Sequence, residues 1–141
     1  MTQLILSNDL ANNIMLEFKE RIEKSEIHIM KGTMPANVEE LDSLTLLSDR
    51  EDDVLVSFTS TVVSQLDDRT VGIETTWADA NKTGAATWFW VRFNDAGEYS
   101  HACGTVGLLN SGSDMEIGNV DVSENGKYRV TKLKFKIPMS W

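Results

Sequence analysis

Between residues 7 and 24, apolar side chains recur every three or four positions: Leu10, Ala11, Ile14, Met15, Phe18 and Ile22. That spacing places them on one stripe of an α-helix. Ser7 or Asn8 offers a side-chain oxygen to an unpaired backbone N–H at its start, and Asp9 places an anion where the helix dipole favours one. Glu17–Arg21 and Glu20–Lys24 are i,i+4 pairs in the favourable order. Leu16 falls off the stripe and is expected at the surface, where a partner would touch the helix.

After residue 24 the period changes to two. Ile27, Ile29 and Lys31 alternate with His28 and Met30, which predicts a strand stopped by Gly32-Thr33-Met34-Pro35. Residues 36 to 43 are acidic and predict a loop or short helical turn, and Leu44 to Leu47 a short strand. Glu51-Asp52-Asp53 reads as a charged turn. Val54, Val56, Phe58 and Ser60 alternate with Leu55, Ser57 and Thr59, as in one strand continuing to about Val63. Asp67-Asp68-Arg69 turns the chain into a short strand over Val71, Ile73 and Thr75, and residues 77 to 84 read as a loop.

Residues 85 to 93 form the strongest strand pattern. Phe89, Val91 and Phe93 fall on one face, Trp88 and Trp90 on the other. With both faces apolar, this predicts a central strand covered twice, once by a second sheet and once by the helix or another subunit. Asn94-Asp95-Ala96-Gly97 predicts a hairpin into residues 98 to 104. Residues 110 to 114 read as loop, Met115 to Val122 as one or two short strands, and Glu124-Asn125-Gly126 as a tight turn. The last strand is expected from Lys127 to Ile137, with a bulge or bend near Thr131 where the apolar phase changes. Leu133, Phe135 and Ile137 face one way. Lys132, Lys134 and Lys136 face the other, toward water, as protection for an edge strand or as a docking row for an acidic neighbour.

About seven or eight short antiparallel strands predict a mainly β protein, a β-sandwich or jelly roll, with one N-terminal amphipathic helix. The 141 residues suit a single domain, with residues 1–24 as N-terminal segment and helix and 25–141 as the sandwich.

Charge narrows the partners. Thirteen Lys and Arg against 22 Asp and Glu leave a formal charge of −9. That argues against nucleic acid, whose phosphates need a positive footprint, and against anionic membranes. The sequence begins without a basic, apolar leader, and no apolar run reaches the roughly 20 residues of a membrane span. A protein made in a cytoplasm is expected.

Candidate chemistry is sparse. His28, His101 and Cys103 are the only soft metal ligands. His101 and Cys103 share one side of a strand, so His28 would have to complete a zinc trio; the favoured reading is a packed Cys with polar histidines, and no metal or cofactor is expected. The acidic pairs Glu39-Glu40, Asp52-Asp53 and Asp67-Asp68 lack calcium-loop spacing and read as solvated turns. No nucleophile elbow, phosphate loop or zinc-protease motif occurs. A Ser-His-Asp triad could be assembled only in space, so the chain reads as a non-enzyme; an enzyme would need His28 or His101 in a cleft beside a carboxylate. Trp77, Trp88, Trp90 and Trp141 read first as core, and as a sugar-stacking surface only if Trp77, or Trp88 with Trp90, is exposed.

The order of short elements resembles a set of small structural proteins of tailed bacteriophages. After the helix comes Gly32-Thr33-Met34-Pro35-Ala36, then Leu44-Thr45-Leu46, Gly84-Ala85-Ala86-Thr87-Trp88-Phe89, Asp95-Ala96-Gly97, Gly104-Thr105-Val106-Gly107 and a strand closing at Pro138. The resemblance spans roughly residues 8 to 138. It implies a virion component without catalytic residues, most simply a capsid decoration or cement protein, homo-oligomeric and bound to the major capsid protein or other virion proteins. The contact expected for such a role is Leu4 and Leu6, Leu16 on the helix, and the lysine row Lys132, Lys134 and Lys136. A neck, tail or fibre-adaptor protein and a carbohydrate-binding module are the alternatives.

Overall fold

The computed structural model describes residues 5–37, 51–59, 61–67, 69–95 and 98–136. Leu4, most of the acidic stretch after Ala36, the strand expected at Leu44 to Leu47, the tip of the hairpin at residues 96 and 97, Ile137, Trp141 and the side chain of Lys136 lie outside these residues.

Helix α1 spans Asn8–Ile22. Its cap is Ser7, whose Oγ accepts the N–H of Leu10 at 3.2 Å. Ala11, Met15 and Ile22 are buried, and Phe18 packs against the core from a half-buried position. Leu10 and Ile14, expected on the same stripe, are instead exposed. The four inward residues fall within about a 60° arc, while Ile14 and Leu10 stand roughly 70° and 110° from its middle. The core accepts a narrower stripe than the sequence offers.

Among the described residues twelve strands follow: β1 (Ser25–Met30), β2 (Val54–Phe58), β3 (Thr61–Asp67), β4 (Thr70–Thr75), β5 (Ala78–Asp79), β6 (Gly84–Ala85), β7 (Trp88–Asp95), β8 (Glu98–Leu108), β9 (Met115–Ile117), β10 (Asp121–Val122), β11 (Lys127–Tyr128) and β12 (Lys132–Lys136). Eight of them form one sheet in the order β2-β1-β7-β8-β9-β12-β4-β3. The described residues are therefore mainly β, with the α-helix α1 toward the N-terminus and a curled, sandwich-like sheet.

The curl follows from connectivity. β2 and β3 are the two ends of the sheet, yet only Thr59 and Ser60 separate them. Three peptide steps span at most about 11 Å, so the two ends meet. The single strand expected from Val54 to about Val63 is thus two strands, bent at a corner where the chain leaves one half and enters the other. At the opposite corner, β8 pairs with β7 through residues 98–105 and with β9 through Val106 to Leu108. The β8–β9 pairing is parallel, the others antiparallel. Parallel neighbours normally need a long crossover. Here the ladder covers three residue pairs only, so a short loop can return.

The expected bend near Thr131 is a complete change of partners. β11 pairs with β5, whereas β12 pairs with β4 and β9. Between them the Val130 N–H donates to Thr75 Oγ1 at 2.8 Å and the Thr131 N–H to the Glu116 carbonyl at 3.3 Å.

The main core lies inside the curl. Phe89, Val91 and Phe93 of β7 meet Ile27 and Ile29 of β1, Val71 and Ile73 of β4, and Leu133 of β12, with α1 packed against both halves. The opposite face of β7 is buried too, but not by the helix. Trp88 and Trp90 form a second cluster with Met30 and Val54, and half-buried Met34 and Cys103 pack on it.

Arg69 fastens the helix to the sheet. It is buried; its Nη2 donates to the Leu6 carbonyl and its Nε to Asn8 Oδ1 at 3.3 Å. A residue read from sequence as part of an exposed turn is thus the anchor of the N-terminal segment.

Candidate functional site

Three of the short elements behind the phage resemblance, those containing Gly32, Thr87-Trp88 and Gly104, have internal, structural roles. Gly32 has φ +84°, where a side chain would be strained, and its carbonyl accepts the Thr87 hydroxyl at 2.7 Å. Trp88 Nε1–H donates to the Lys31 carbonyl at 3.1 Å. A Cβ at Gly104 would stand 2.7 Å from the Phe89 ring and 2.8 Å from Asp114 Oδ2. These elements join strands; none of the contacts forms an exposed reactive group.

The expected partner residues are scattered. Leu16 is exposed on α1, together with Leu10, Ile14 and, just before the helix, Ile5. Leu6 is half-buried against the core, so part of its apolar surface is already covered within the chain. Lys132 and Lys134 are exposed on β12 beside Ser64, Leu66, Gly72 and Glu74, a shallow cavity of about 350 Å³. Lys132 Nζ lies 3.9 Å from the buried carboxylate of Glu116.

The soft ligands fall in cross-strand rows. His28 of β1 is opposite Trp90 of β7, which is opposite Cys103 of β8. Adjacent strands are about 4.8 Å apart, so Trp90 separates His28 from Cys103 by two strand spacings. Trp90 Nε1–H donates to His101 Nδ1 at 2.9 Å, which occupies that nitrogen. The zinc trio weighed from sequence is not brought together, and no group of three His, Cys, Asp or Glu side chains suited to a metal occurs among the described residues. Burial pushes the Cys103 thiol up, away from the thiolate that metals and electrophiles require.

The geometric condition set for an enzyme is met in part at His28. Its Nδ1 lies 2.8 Å from Ser57 Oγ, and its Nε2 lies 3.4 Å from Glu26 Oε2. Hydroxyl, imidazole and carboxylate thus stand in the order of a nucleophile–base–orienter relay. Ser57 and His28 line a cavity of about 580 Å³ with Glu51, Asp52, Asn81 and Lys82, and Glu26 is not part of that lining. The second half of the relay is weak. His28 Nε2 is buried without a hydrogen bond, and Glu26 is shared with Arg92 at 3.8 Å. Burial lowers the imidazole pKa, and the Glu26 charge only partly opposes that. A buried His needs a polar partner, and its cross-strand neighbour Ser57 supplies one. Packing therefore accounts for the Ser57 contact without catalysis.

A third region was only half visible in the sequence. Trp88 and Trp90 are 1% exposed, whereas Trp77 is 60% exposed. The Arg129 guanidinium lies 4.8 Å from the centre of the Trp77 ring. Around them Leu109, Asn119, Tyr128 and Thr131 line a cavity of about 450 Å³. The signal for this site was the loop position of Trp77, away from the alternating strand that holds the buried tryptophans.

No protein-family model, curated protein or solved structure matches the chain.

Proposed function

We propose that this chain is a non-enzymatic structural protein of a tailed-bacteriophage particle, a capsid decoration protein that binds the major capsid protein shell in many copies. The observation that carries the reading is the surface of α1. The helix gives one narrow arc to its own core and leaves Leu10 and Ile14 exposed on one flank and Leu16 on another, with Ile5 exposed ahead of it. Isolated exposed leucines need no explanation, but several on one helix mark a contact surface. The order of structural motifs supports the same reading, and the charge of −9 would keep copies apart until a specific contact forms. A neck or tail position in the same particle uses the same surface and differs in copy number.

The test is co-sedimentation of the purified chain with shells lacking it. Wild type should pellet with the shells. Replacing Leu10, Ile14 and Leu16 together by Ser should abolish pelleting without unfolding the chain. Undiminished pelleting of the folded triple variant would remove the helix from the contact.

One observation favours a second reading, a serine hydrolase built on Ser57, His28 and Glu26. A fluorophosphonate that labels Ser57 in the wild type, and not in His28→Gln, would support it and count against a purely structural role.

A further inference from the structure

We infer that the cavity beside Trp77 is a saccharide site, taking a β-linked disaccharide of neutral pyranose sugars. Arg129 covers one face of the Trp77 ring at 4.8 Å, yet the residue remains 60% exposed, so the other face is open. A cation held over an aromatic ring is itself stabilised there, which fixes the platform before a ligand arrives and reduces the ordering cost of binding.

The surrounding groups have the chemistry that hydroxyl-rich ligands need. Arg129 has no carboxylate partner among the described residues, so the N–H edge of its guanidinium is free to donate. Asn119 uses its Oδ1 to accept the Asp121 N–H, at 2.9 Å, leaving its amide nitrogen as a donor. The Thr131 hydroxyl adds a group that both donates and accepts. Tyr128 is fixed by its own hydroxyl, which accepts the Ser123 N–H at 2.8 Å; Leu109 completes the apolar side of the wall. A few convergent polar groups around an apolar platform, in about 450 Å³, is the make-up of a small-molecule site.

The sugar class follows from shape and charge. β-Linked glucose and N-acetylglucosamine units carry their substituents equatorially, so axial C–H bonds form flat apolar faces that match an open indole. Lys127 is engaged by Asp79 at 3.0 Å, and the chain as a whole carries −9. That long-range field disfavours polyanions, while inside the cavity Lys127 is already paired and the Arg129 N–H edge can donate to the hydroxyls of a neutral saccharide. The site does not depend on the particle reading: a shell protein without it, or a sugar-binding chain outside any shell, would each fail only one of the two tests.

The test is saturation-transfer NMR on the full-length chain with cellobiose and with N,N′-diacetylchitobiose, at about 1–10 mM, the weak end of single-site affinity. At least one disaccharide should receive saturation, strongest at its axial ring protons. Trp77→Ala should cut the transfer at least tenfold, Trp77→Tyr should retain much of it, and Arg129→Ala should reduce it. Because Trp77 and Arg129 are exposed, these variants should keep the wild-type melting curve. Absence of transfer to both disaccharides, or equal transfer in folded Trp77→Ala, would overturn the proposal.

Discussion

The ring of Phe18 lies 4.7 Å from that of Phe135. Phe135 belongs to β12 and Phe18 to α1, and the same Phe18 ring meets Phe93 of β7 edge-on at 5.8 Å. One helical side chain therefore joins the two halves of the curled sheet. Aromatic pairs of this geometry add stabilisation beyond their buried area. Phe18→Ala should cost about 2–4 kcal/mol, near the low end for a buried Phe because the residue is half-buried. Leu16→Ala on the same helix should stay within about 0.5 kcal/mol. Urea denaturation of the two variants checks the contrast.

Arg69 should matter as much as a core residue. It holds the Leu6 carbonyl and Asn8 Oδ1 from a buried position. Arg69→Ala leaves those acceptors without their donor and should destabilise by about 2–4 kcal/mol. Arg69→Lys keeps the charge but loses the planar fork and should recover only part of the loss. Hydrogen exchange should show the first turn of α1 opening in both variants before the sheet.

Gly104 predicts a steric penalty. A methyl group there would press on the Phe89 ring and on Asp114 Oδ2. Asp114 Oδ2 accepts both the N–H and the hydroxyl of Thr105, at 3.0 and 3.1 Å, and so braces the loop that lets β8 and β9 run parallel. Gly104→Ala should cost about 1–3 kcal/mol, as overpacking does. A melting temperature unchanged from wild type would contradict this packing.

His28 gives a pH dependence with a defined sign. Burial holds its imidazole pKa below the ordinary 6.5. The unfolded chain therefore binds a proton that the folded chain resists, and stability rises with pH in that window. The contribution is complete above pH 6.5 and is lost as pH falls from there toward the lowered native pKa. His28→Gln should flatten this part of the stability–pH curve. An unchanged slope between wild type and variant below pH 6.5 would assign it to other groups.

Local pattern made part of this molecule readable in advance. The helix cap at Ser7, the two faces of β7 and the mainly β architecture follow from spacing of 3.6 and 2 residues, and such spacing survives because neighbouring positions share one environment. The corners were not readable. The polar run Thr59-Ser60-Thr61 contains no Gly or Pro to mark a corner, and the switch at Thr59 arises because β2 pairs with β1 while β3 pairs with β4. The break before β12 left a trace in the changed phase at Thr131, though not its cause, which is the move from β5 to β4. Leu10 and Ile14 were misplaced because periodicity gives the width of an apolar stripe, not the width of the groove that receives it. Arg69 and the Ser57–His28 contact depend on residues 63 and 29 positions away, beyond the reach of any local pattern.

The most direct measurement is the number of copies of this chain per purified particle, by quantitative mass spectrometry against the major capsid protein. A decoration protein should be present in many copies, at a fixed ratio to the shell subunit and spread over the capsid. A count of about six or twelve, as a single ring would give, or absence of the chain from the particle, would contradict it.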